Sequence, residues 1–457
     1  MSAPAAPRDL GSGLVLRWAT PADAERIAES QAEGFRDSPD APPNPWDRAL
    51  LRELTSGRHP LVQAEDFVIV EDTRSGKIVA SACLMHGEWE YDGLPFRIGR
   101  PEHVVTDHSY RNRGLIRAIF GALHERSAAQ GEVVQVITGI PYFYRQFGYE
   151  YALDLEGGRV AYPATLPPAP DGPEPFTIRR ATPDDIPFIA ALYDQRRRDS
   201  LVSARVPEAY WRYAFAPIAT PTHPEGDFHR QWRLWIIEDR EGATCGYVRT
   251  TTQTWQHQFY LWDFAVRDGV SLAAVAPPVL RAFLPAGEAA AVASRAAGHT
   301  DEQFREIMLC MEREHPLYAA IGEMVAPRVI APYAWYVRVP DLPGFLRQIA
   351  PVLERRLADS ALASYSGELR LDFFRDGLRL TFADGKLTAA EPWRRPISDE
   401  RQHATFPPLV FLQLLFGHRS LDELRYAFPD IRVGRGEIAG LLEALFPKRT
   451  SRVAALE

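Results

Sequence analysis

The residues of this chain that most clearly suggest chemistry form the basic segment Arg-Asn-Arg-Gly at residues 111–114. Gly114 leaves the neighbouring backbone amides unobstructed, and several amides at the start of a helix create a site for an anion. Arg111 and Arg113 can add charge-assisted hydrogen bonds to phosphate oxygens. The segment therefore predicts a phosphate-binding loop. A surface connection whose arginines are merely solvated is the alternative.

Two predicted elements flank this segment. Residues 103–106 have the composition of a strand end, and from Leu115 onward apolar residues recur at the spacing of one helix face. The residues of that face are Leu115, Ile116, Ile119, Phe120 and Leu123. A strand that leads through a basic loop into an apolar helix places the loop at the positive end of the helix dipole.

The chain also contains an internal repeat. Residues 14–30 and 176–192 are identical at seven of seventeen positions, which are the pairs Arg17/Arg179, Ala19/Ala181, Thr20/Thr182, Pro21/Pro183, Asp23/Asp185, Ile27/Ile189 and Ala28/Ala190. Each copy has the pattern of a short strand followed by a helix, with Thr at the N-cap and Pro at the first helical position. An offset of 162 residues between the copies predicts two copies of one domain rather than a solenoid.

The remaining sequence predicts a linker and a third domain. Residues 162–175 contain six prolines and are typical of a semi-rigid linker. Residues 341–358 predict an amphipathic helix, and alternating apolar residues from 369 to 382 predict a β-meander with Asp-Gly turns at residues 376–377 and 384–385. Further helices are expected at residues 408–416 and 437–446. The predicted fold is α+β, with boundaries at residues 1–161, 162–175, 176–335 and 336–457.

Composition and charge narrow the functional class. With 46% hydrophobic and 25% charged residues the chain is typical of a globular protein, and its net charge of −8 without a dense basic cluster argues against nucleic acid as a partner. Cys83, Cys245 and Cys310 lack metal-ligand spacing, and no apolar run is long enough to cross a membrane. The expectation is a cytoplasmic protein without metal or membrane contact. Walker, His-Glu-x-x-His and Gly-x-Ser-x-Gly motifs are absent from the sequence.

The strand, Arg-x-x-Gly segment and apolar helix resemble motif A of the GNAT acyltransferases, which holds the pyrophosphate of acetyl-CoA. That motif usually ends in Gly or Ala, whereas this chain has Ile116. Residues 111–115 instead resemble the variant found in the Eis (enhanced intracellular survival) branch. Residues 139–149 resemble that branch's Tyr-x-Arg-Phe-Gly-Tyr segment, with Gln146 inserted. Motifs and domain order together extend the resemblance over nearly the whole chain.

The resemblance implies two tandem GNAT-fold domains, the second degenerate, followed by a sterol-carrier-like α+β domain. In the second copy Arg267 and Gly269 have the wrong spacing for the phosphate loop, so one acetyl-CoA per chain is expected. The apolar positions of the third domain are expected to fill its own core rather than a lipid tunnel. The residues implied at the cofactor are Val104, Val105, Thr106, Arg111, Asn112, Arg113, Gly114, Leu115 and Ile116.

The resemblance also implies the catalytic groups. Tyr144 would protonate the departing CoA thiolate, a role that suits a phenol because its unperturbed pKa of about 10 keeps it protonated at neutral pH. A core aromatic is the alternative role for Tyr144. The base would be the C-terminal carboxylate of Glu457, although the chain lacks the aromatic last residue associated with that branch. Glu102 and His103 are competing candidates for the base.

The implied reaction is direct transfer of an acetyl group from acetyl-CoA to a primary amine. Aminoglycosides, polyamines and lysine side chains are the implied acceptors, and the implied assembly is a homo-oligomer, with a hexamer as its form. The negative net charge would attract a cationic amine. A lipid- or small-molecule-binding protein with a relic GNAT fold and an assembly scaffold stay open as other classes. The intact segment 111–114 favours the enzyme.

Overall fold

The computed structural model describes residues 6–453 except residues 37, 39, 44, 216–231, 297, 397–402, 435 and 436. The first part of the chain forms β1 (Arg8–Gly11), β2 (Leu14–Trp18), α1 (Ala24–Gly34), α2 (Pro45–Leu54), β3 (Phe67–Asp72), β4 (Lys77–Tyr91), β5 (Leu94–Thr106), α3 (Leu115–Ala129), β6 (Val134–Ile137) and β7 (Glu150–Leu155).

The middle part forms β8 (Gly158–Ala161), β9 (Phe176–Arg180), α4 (Ile186–Arg197), β10 (Val202–Ala204), α5 (Glu208–Phe215), β11 (Trp232–Asp239), β12 (Thr244–Thr251), β13 (Gln258–Val266), α6 (Leu272–Ala282), α7 (Leu284–Ala296), β14 (Glu306–Leu309), α8 (Pro316–Ile321) and β15 (Arg328–Ile330). The last part forms β16 (Tyr333–Arg338), α9 (Leu342–Gln348), α10 (Ala350–Ala358), β17 (Gly367–Asp372), β18 (Gly377–Ala383), β19 (Lys386–Pro392), β20 (Ala404–Thr405), α11 (Phe411–Leu415), α12 (Leu421–Ala427), β21 (Arg432–Val433) and α13 (Ile438–Leu445).

These elements build three sheets, so the fold mixes helices and strands as predicted. The first sheet has the order β1-β2-β3-β4-β5-β6-β16-β7, with β10 also paired to β4. The second has the order β15-β8-β14-β13-β12-β11-β9, and the third β19-β18-β17-β20-β21. In the first two sheets one central pair is parallel, β5 with β6 and β13 with β14. Among the described residues, none of the helices has both the length and the apolarity that crossing a membrane requires.

Three strands pair across the boundaries predicted from the sequence, and one of them is β10, which pairs with β4 of the first sheet. β8, which lies within residues 1–161, pairs with β14 and β15 of the second sheet. β16, which spans the predicted boundary at residue 335, lies between β6 and β7 of the first sheet. Alternating burial predicts a strand but does not specify its partner, because pairing partners are chosen by tertiary packing. Each of these sheets therefore contains a strand from outside its own predicted segment.

The repeated residues form the same strand-to-helix turn in both copies. Arg17 binds Asp23 through two contacts of 2.8 Å, and the backbone N–H of Thr20 donates to the same carboxylate at 3.0 Å. In the second copy Arg179 binds Asp185 through two contacts of 2.8 Å. A bidentate Arg–carboxylate pair fixes geometry as well as charge. The identity between the repeats therefore reflects a shared local structure at the entry to α1 and α4.

The C-terminal elements differ from the sequence prediction in detail. The single helix expected over residues 341–358 is wrong, because α9 and α10 are separate helices that meet at Ile349. Pro351 has no N–H to donate to the carbonyl of Arg347, and its ring crowds that carbonyl. The β-meander is confirmed as β17-β18-β19, although the first turn consists of residues 373–376, since Gly377 already pairs with Asp372.

The apolar residues of the C-terminal part pack on the first sheet. One buried cluster joins β4, β5, β6 and β16 to the third sheet and its helices. Phe345 of α9, for example, makes edge-to-face contacts with Phe96 at 5.4 Å and Tyr91 at 6.0 Å between ring centroids. These side chains fill a core that is shared with the first sheet, whereas the sequence predicted a core belonging to the third domain alone.

Candidate active site

The central feature of the first sheet is a gap between β5 and β6. Their parallel ladder comprises only two residue pairs, Ile98 with Val134 and Gly99 with Gln135. β5 then continues to Thr106, and β6 continues to Ile137. Parallel strands that separate in this way leave main-chain donors and acceptors available to an extended ligand.

The second sheet has a longer ladder at the equivalent position, although β13 also continues beyond it to Val266. β13 and β14 pair over four residues, from Gln258 with Glu306 to Leu261 with Leu309. The ladder is extended by a hydrogen bond from the N–H of Cys310 to the carbonyl of Leu261 at 2.9 Å. Beyond this ladder, side chains of α4 donate to the carbonyls of Phe264 and Val266 at 3.4 and 3.2 Å, so these main-chain groups are already used.

A β-bulge marks the part of β5 that borders the gap. Ser81 of β4 pairs with Val105 and Cys83 pairs with Glu102, so two residues of β5, at 103 and 104, lie opposite one residue of β4. His103 has a φ of +53°, and the side chain of Gln31 donates to its carbonyl at 2.7 Å. Bulges of this kind redirect the strand locally and recur beside active sites.

The predicted phosphate loop leads directly into α3. Gly114 is the N-cap of α3 with a φ of +75°, and a Cβ placed on it would have no neighbouring atom within 4 Å. No side chain caps α3 at this residue. The first-turn amides of a helix have no partner within the helix, and the helix dipole makes this end positive. The loop is thus open, exposed and built to receive an anion.

The arginines of the loop are exposed and already oriented. Arg113 donates to the carbonyl of Ser109 at 3.0 Å, and its guanidinium lies 4.7 Å from the ring centre of Tyr110. Arg111 approaches His108 at 3.4 Å. Asn112 between them has a φ of +62°. These contacts keep both cationic groups at the loop without burying their charge.

The side chains of the other predicted cofactor residues lie in different environments. Leu115 packs in the core between α3 and the sheet, and Val105 is buried with its side chain against Gly34 of α1. Val104 and Ile116 are partly buried and pack both against that core and against a cluster around Tyr144. Leu115 and Val105 therefore have only main-chain groups to offer a ligand.

Tyr144 lies between β5, β6 and the start of α3. It is 3% exposed and contacts the rings of Phe120, Phe143 and Tyr336 at centroid distances of 5.2–5.6 Å. Burial raises the pKa of its phenol well above the usual value, and the nearby charge of Glu102 raises it further. The hydroxyl therefore stays protonated at neutral pH, as an acid must before it acts.

The candidate bases fall into different environments. Glu102 pairs with Arg100 at 2.8 Å and accepts from the hydroxyl of Thr138 at 3.5 Å, so it lies at the gap near Tyr144. The ring of His103 is stacked on buried Phe67, with 6.5 Å between centroids. Glu457 lies outside the described residues. Of the two described candidates, Glu102 is the one that borders the gap.

A cavity of about 480 Å³ lies next to Arg100. Its lining is formed by Leu61, Met85, His86, Gly87, Glu88, Trp89, Ile98, Arg100, Arg205, Val206, Pro207, Glu208 and Trp335. Glu88 pairs with Arg205 in this lining, so charges of both signs are present. Trp89 and Trp335 meet edge to face at 5.6 Å. Because its walls come from β4, β16 and the segment after β10, no sequence motif could have revealed this cavity.

His86 gives the cavity a further positive group. Its ring nitrogens lie 2.5 Å from Glu132 and 3.4 Å from Asp66. Burial lowers the pKa of His86, but these two carboxylates outweigh burial and raise it to about 9. The imidazole is therefore cationic at neutral pH.

Residues 15–152 match the sequence profile of an acetyltransferase (GNAT) domain. This segment has the GNAT fold. No curated protein matches the chain by sequence. The gap between β5 and β6, the open loop at α3 and Tyr144 all lie within the matched GNAT segment.

Solved structures extend the likeness to the whole chain. A probable N-acyltransferase from Enterococcus faecalis V583 is 15% identical with a TM-score of 0.63, over 97% of this chain and 99% of that one. A GCN5-related N-acetyltransferase from Kribbella flavida is 16% identical with a TM-score of 0.62, over 96% and 97%. Eis1 from Mycobacterium abscessus is 14% identical with a TM-score of 0.58, over 96% and 98%. At these identities the likeness establishes the fold.

Proposed function

We propose that this protein is an N-acetyltransferase that transfers an acetyl group from acetyl-CoA to a primary amine. The observation that carries the proposal is the gap between β5 and β6, which opens beside the anion-binding loop around Gly114 and the buried acid Tyr144. Each feature corresponds to one part of acetyl-CoA. The loop would take the pyrophosphate, the unpaired strand edge would take the amides of the pantetheine arm, and Tyr144 would act at the thioester sulfur. The GNAT fold of residues 15–152 supports the same activity.

The residues present fit acetyl-CoA. The pyrophosphate would bind the first-turn amides of α3 with Arg111 and Arg113, where the helix end and both guanidiniums are positive. The amide-containing pantetheine arm would pair with the edge of β5 at residues 104–106. At the end of β13 the carbonyls of Phe264 and Val266 already accept from side chains of α4, and no Arg-x-x-Gly loop follows this strand, so one acetyl-CoA per chain is expected.

Acetyl transfer then needs two proton movements. The neutral amine attacks the thioester carbon, the C–N bond forms, and the C–S bond breaks as the tetrahedral intermediate collapses. Tyr144 gives its proton to the sulfur of the departing CoA, and a base takes the proton released by the new ammonium group. The products are an N-acetylated amine and free CoA thiol, and Tyr144 is reprotonated from solvent.

Two carboxylates are proposed as the base. Glu102 borders the gap and already influences the pKa of Tyr144. The C-terminal carboxylate of Glu457 is the other. Its support is the path of the preceding residues, since Arg452 pairs in parallel with Ser203 of β10, and β10 leads to Arg205 in the cavity lining.

The proposed acceptor is a small amine that enters the 480 Å³ cavity. The aromatic walls formed by Trp89 and Trp335 suit the hydrocarbon part of such an amine, since the guanidinium of Arg100 already lies 5.0 Å from the ring centre of Trp335. The net charge of −8 favours a polycationic amine, such as a polyamine or an aminoglycoside. We further propose a cytoplasmic homo-oligomer, with a hexamer as the form implied by the Eis-like sequence.

The deciding experiment is an amine panel with acetyl-CoA, in which CoA release and the mass of the acetylated product are both measured. Cationic amines should react, and their rate should fall as salt is raised from about 50 to 500 mM, because screening weakens the attraction. Deleting Leu456 and Glu457 moves the terminal carboxylate and tests it against Glu102→Gln. Acetylation confined to neutral or anionic acceptors would overturn the acceptor class, and CoA binding without acetylation of any amine would overturn the activity.

A further inference from the structure

We propose that Tyr151, Tyr333 and Tyr336 form a hydroxyl clamp that positions Tyr144 for catalysis. The inference rests on the acid role proposed above for Tyr144. Tyr151 lies on β7, and the other two clamp residues lie on β16, its neighbour in the first sheet. The clamp holds residues 139–142, the segment that immediately precedes the turn carrying Tyr144.

Two clamp residues hold carbonyl groups of that segment. The hydroxyl of Tyr333 donates to the carbonyl of Gly139 at 2.6 Å. The hydroxyl of Tyr336 lies 3.1 Å from the carbonyl of Ile140, which also accepts from the N–H of Phe143 at 3.3 Å. Because Tyr336 has one proton, it can donate either to this carbonyl or to Tyr151, whereas Tyr333 donates to Gly139.

The hydroxyl of Tyr151 connects the other two. It lies 2.7 Å from the hydroxyl of Tyr336 and 3.1 Å from that of Tyr333, and it accepts from the N–H of Tyr142 at 3.2 Å. A phenol has one proton to give and two lone pairs to receive. The protons can therefore run in one direction, from Tyr336 to Tyr151 to Tyr333 and then to the loop, so that each hydrogen bond polarises the next.

The segment needs such support because its backbone is strained. Tyr142 has a φ of +59°, which is an outlier for a bulky residue, and Gly139 has a φ of +109°. Tyr142 is also 69% exposed, so burial does not hold it in place. A strained conformation persists only where its surroundings over-determine it, and such positions cluster at functional sites.

The clamp also contacts the acid itself. The ring of Tyr336 meets Tyr144 edge to face at 5.4 Å and is stacked on Tyr151 at 4.1 Å. A Cβ placed on Gly139 would lie 3.9 Å from the Tyr144 hydroxyl. Any shift of the loop therefore moves the space around that hydroxyl. Displacements of about 1 Å at a reacting group can lower a rate by about 100-fold.

The clamp gives a role to β16, the strand that joins the first sheet from a later part of the chain. β16 follows β15 of the second sheet in the chain, yet it supplies Tyr333 and Tyr336 to the first sheet. Completion of the acid's position therefore depends on chain that comes after the second sheet.

The test removes one hydroxyl at a time with Tyr151→Phe, Tyr333→Phe and Tyr336→Phe. Each variant should lower kcat about tenfold while leaving the KM for acetyl-CoA within about twofold, because the phosphate loop is untouched. Hydrogen exchange of residues 139–149 should become faster. In a Tyr144→Phe background the same changes should lower kcat no further, since the clamp acts through Tyr144.

Tyr318→Phe is the matched control. Tyr318 is buried beside the second sheet, where its hydroxyl lies 3.0 Å from the carbonyls of Leu309 and Met311. Its loss should lower the melting temperature without changing kcat. Unchanged exchange of residues 139–149 in all three clamp variants would overturn the clamp, whether or not the protein is active. A kcat loss that adds fully to that of Tyr144→Phe would overturn its action through Tyr144. A wild type that acetylates nothing contradicts the proposed function, and exchange still decides whether the hydroxyls hold the loop.

Discussion

Tyr144 combines two properties that a general acid requires. Its ring is fixed on several sides by aromatic neighbours, and burial together with Glu102 keeps its pKa above the usual value of a phenol. Because a thiol has the lower unperturbed pKa, full proton transfer to a free thiolate is uphill, so the hydroxyl has to act while the C–S bond breaks, by a hydrogen bond to the sulfur as its charge develops. At the scale of single residues, the proposed chemistry therefore depends on one hydroxyl group.

Replacing that hydroxyl gives the sharpest prediction at this scale. Tyr144→Phe keeps the ring and its packing but removes the proton donor, so kcat should fall about 100-fold or more while acetyl-CoA affinity stays nearly unchanged. Steady-state kinetics with calorimetric binding would separate the two effects. Loss of affinity together with rate would indicate a structural tyrosine instead.

His86 provides a prediction about stability and pH. Its pKa of about 9 lies above the unfolded value of about 6.5, so its protonated form stabilises the fold fully below pH 6.5. That contribution, roughly 1–3 kcal/mol, should be lost as the pH rises through 9. Urea unfolding of wild type and His86→Gln from pH 6 to 10 should give curves that converge at high pH. Exposed His299→Gln is the control, and equally spaced curves for His86→Gln would contradict the pair with Glu132.

Some of the site was readable from residue types, and some was not. Gly114 and Tyr144 stand in recognisable local patterns, so the open turn before α3 and the tyrosine beside it could be located from the sequence, while their roles stay predictions. The cavity around Trp89 and Trp335 could not, because these residues are distant in sequence and meet only when β16 joins the first sheet. The side chains of Leu115 and Val105 face cores, which a motif assignment does not distinguish from ligand contact.

At the scale of elements, the short β5–β6 ladder ends at a glycine. A Cβ on Gly99 would lie 2.3 Å from the carboxylate of Glu132 and 2.6 Å from the hydroxyl of Ser127. Both side chains are buried, and Glu132 is also held by His86, so neither can withdraw easily. The close approach of β5 to the end of α3 therefore requires glycine.

Gly99→Ala should lower the free energy of unfolding by about 1–3 kcal/mol, because the added methyl group overpacks this contact. Gly121→Ala is the matched control, since Gly121 lies within α3 and a Cβ there meets nothing within 4 Å. The control should instead raise stability by about 0.5–1 kcal/mol through helix propensity. Chemical unfolding measures both, and equal stability of the two variants would refute the close packing.

Hydrophobic periodicity predicted some of the helices and strands correctly and others incorrectly. Periodicity located α3 and the β-meander, but it gave one helix where Pro351 separates α9 from α10. The hydrophobic pattern of the sequence does not indicate the bulge at His103 or the gap after Gly99. They depend on how many residues two strands pair over, which is set by packing from both faces of the sheet.

At the scale of the whole molecule, the repeat in the sequence corresponds to two sheets that differ in the length of their parallel ladder and in the loop that follows it. The first has the short parallel ladder and the open loop at Gly114, while the second has a longer ladder between β13 and β14. The exchange of β8 and β16 couples the two sheets through the chain. Sequence identity revealed the repeat, whereas strand pairing shows where the two copies differ.

The central claim is that acetyl-CoA binds once per chain, at the loop that opens α3. Titration calorimetry of the full chain with acetyl-CoA should give one site, and Gly114→Glu should abolish it because a carboxylate would enter the anion site. Gly269→Glu is the matched control: Gly269 has a φ of +82° and open space around it, so the backbone strain is similar to that at Gly114. One site in wild type and in Gly269→Glu, with none in a folded Gly114→Glu, is the predicted result. Two sites, no site in wild type, or unchanged binding in Gly114→Glu would contradict the account.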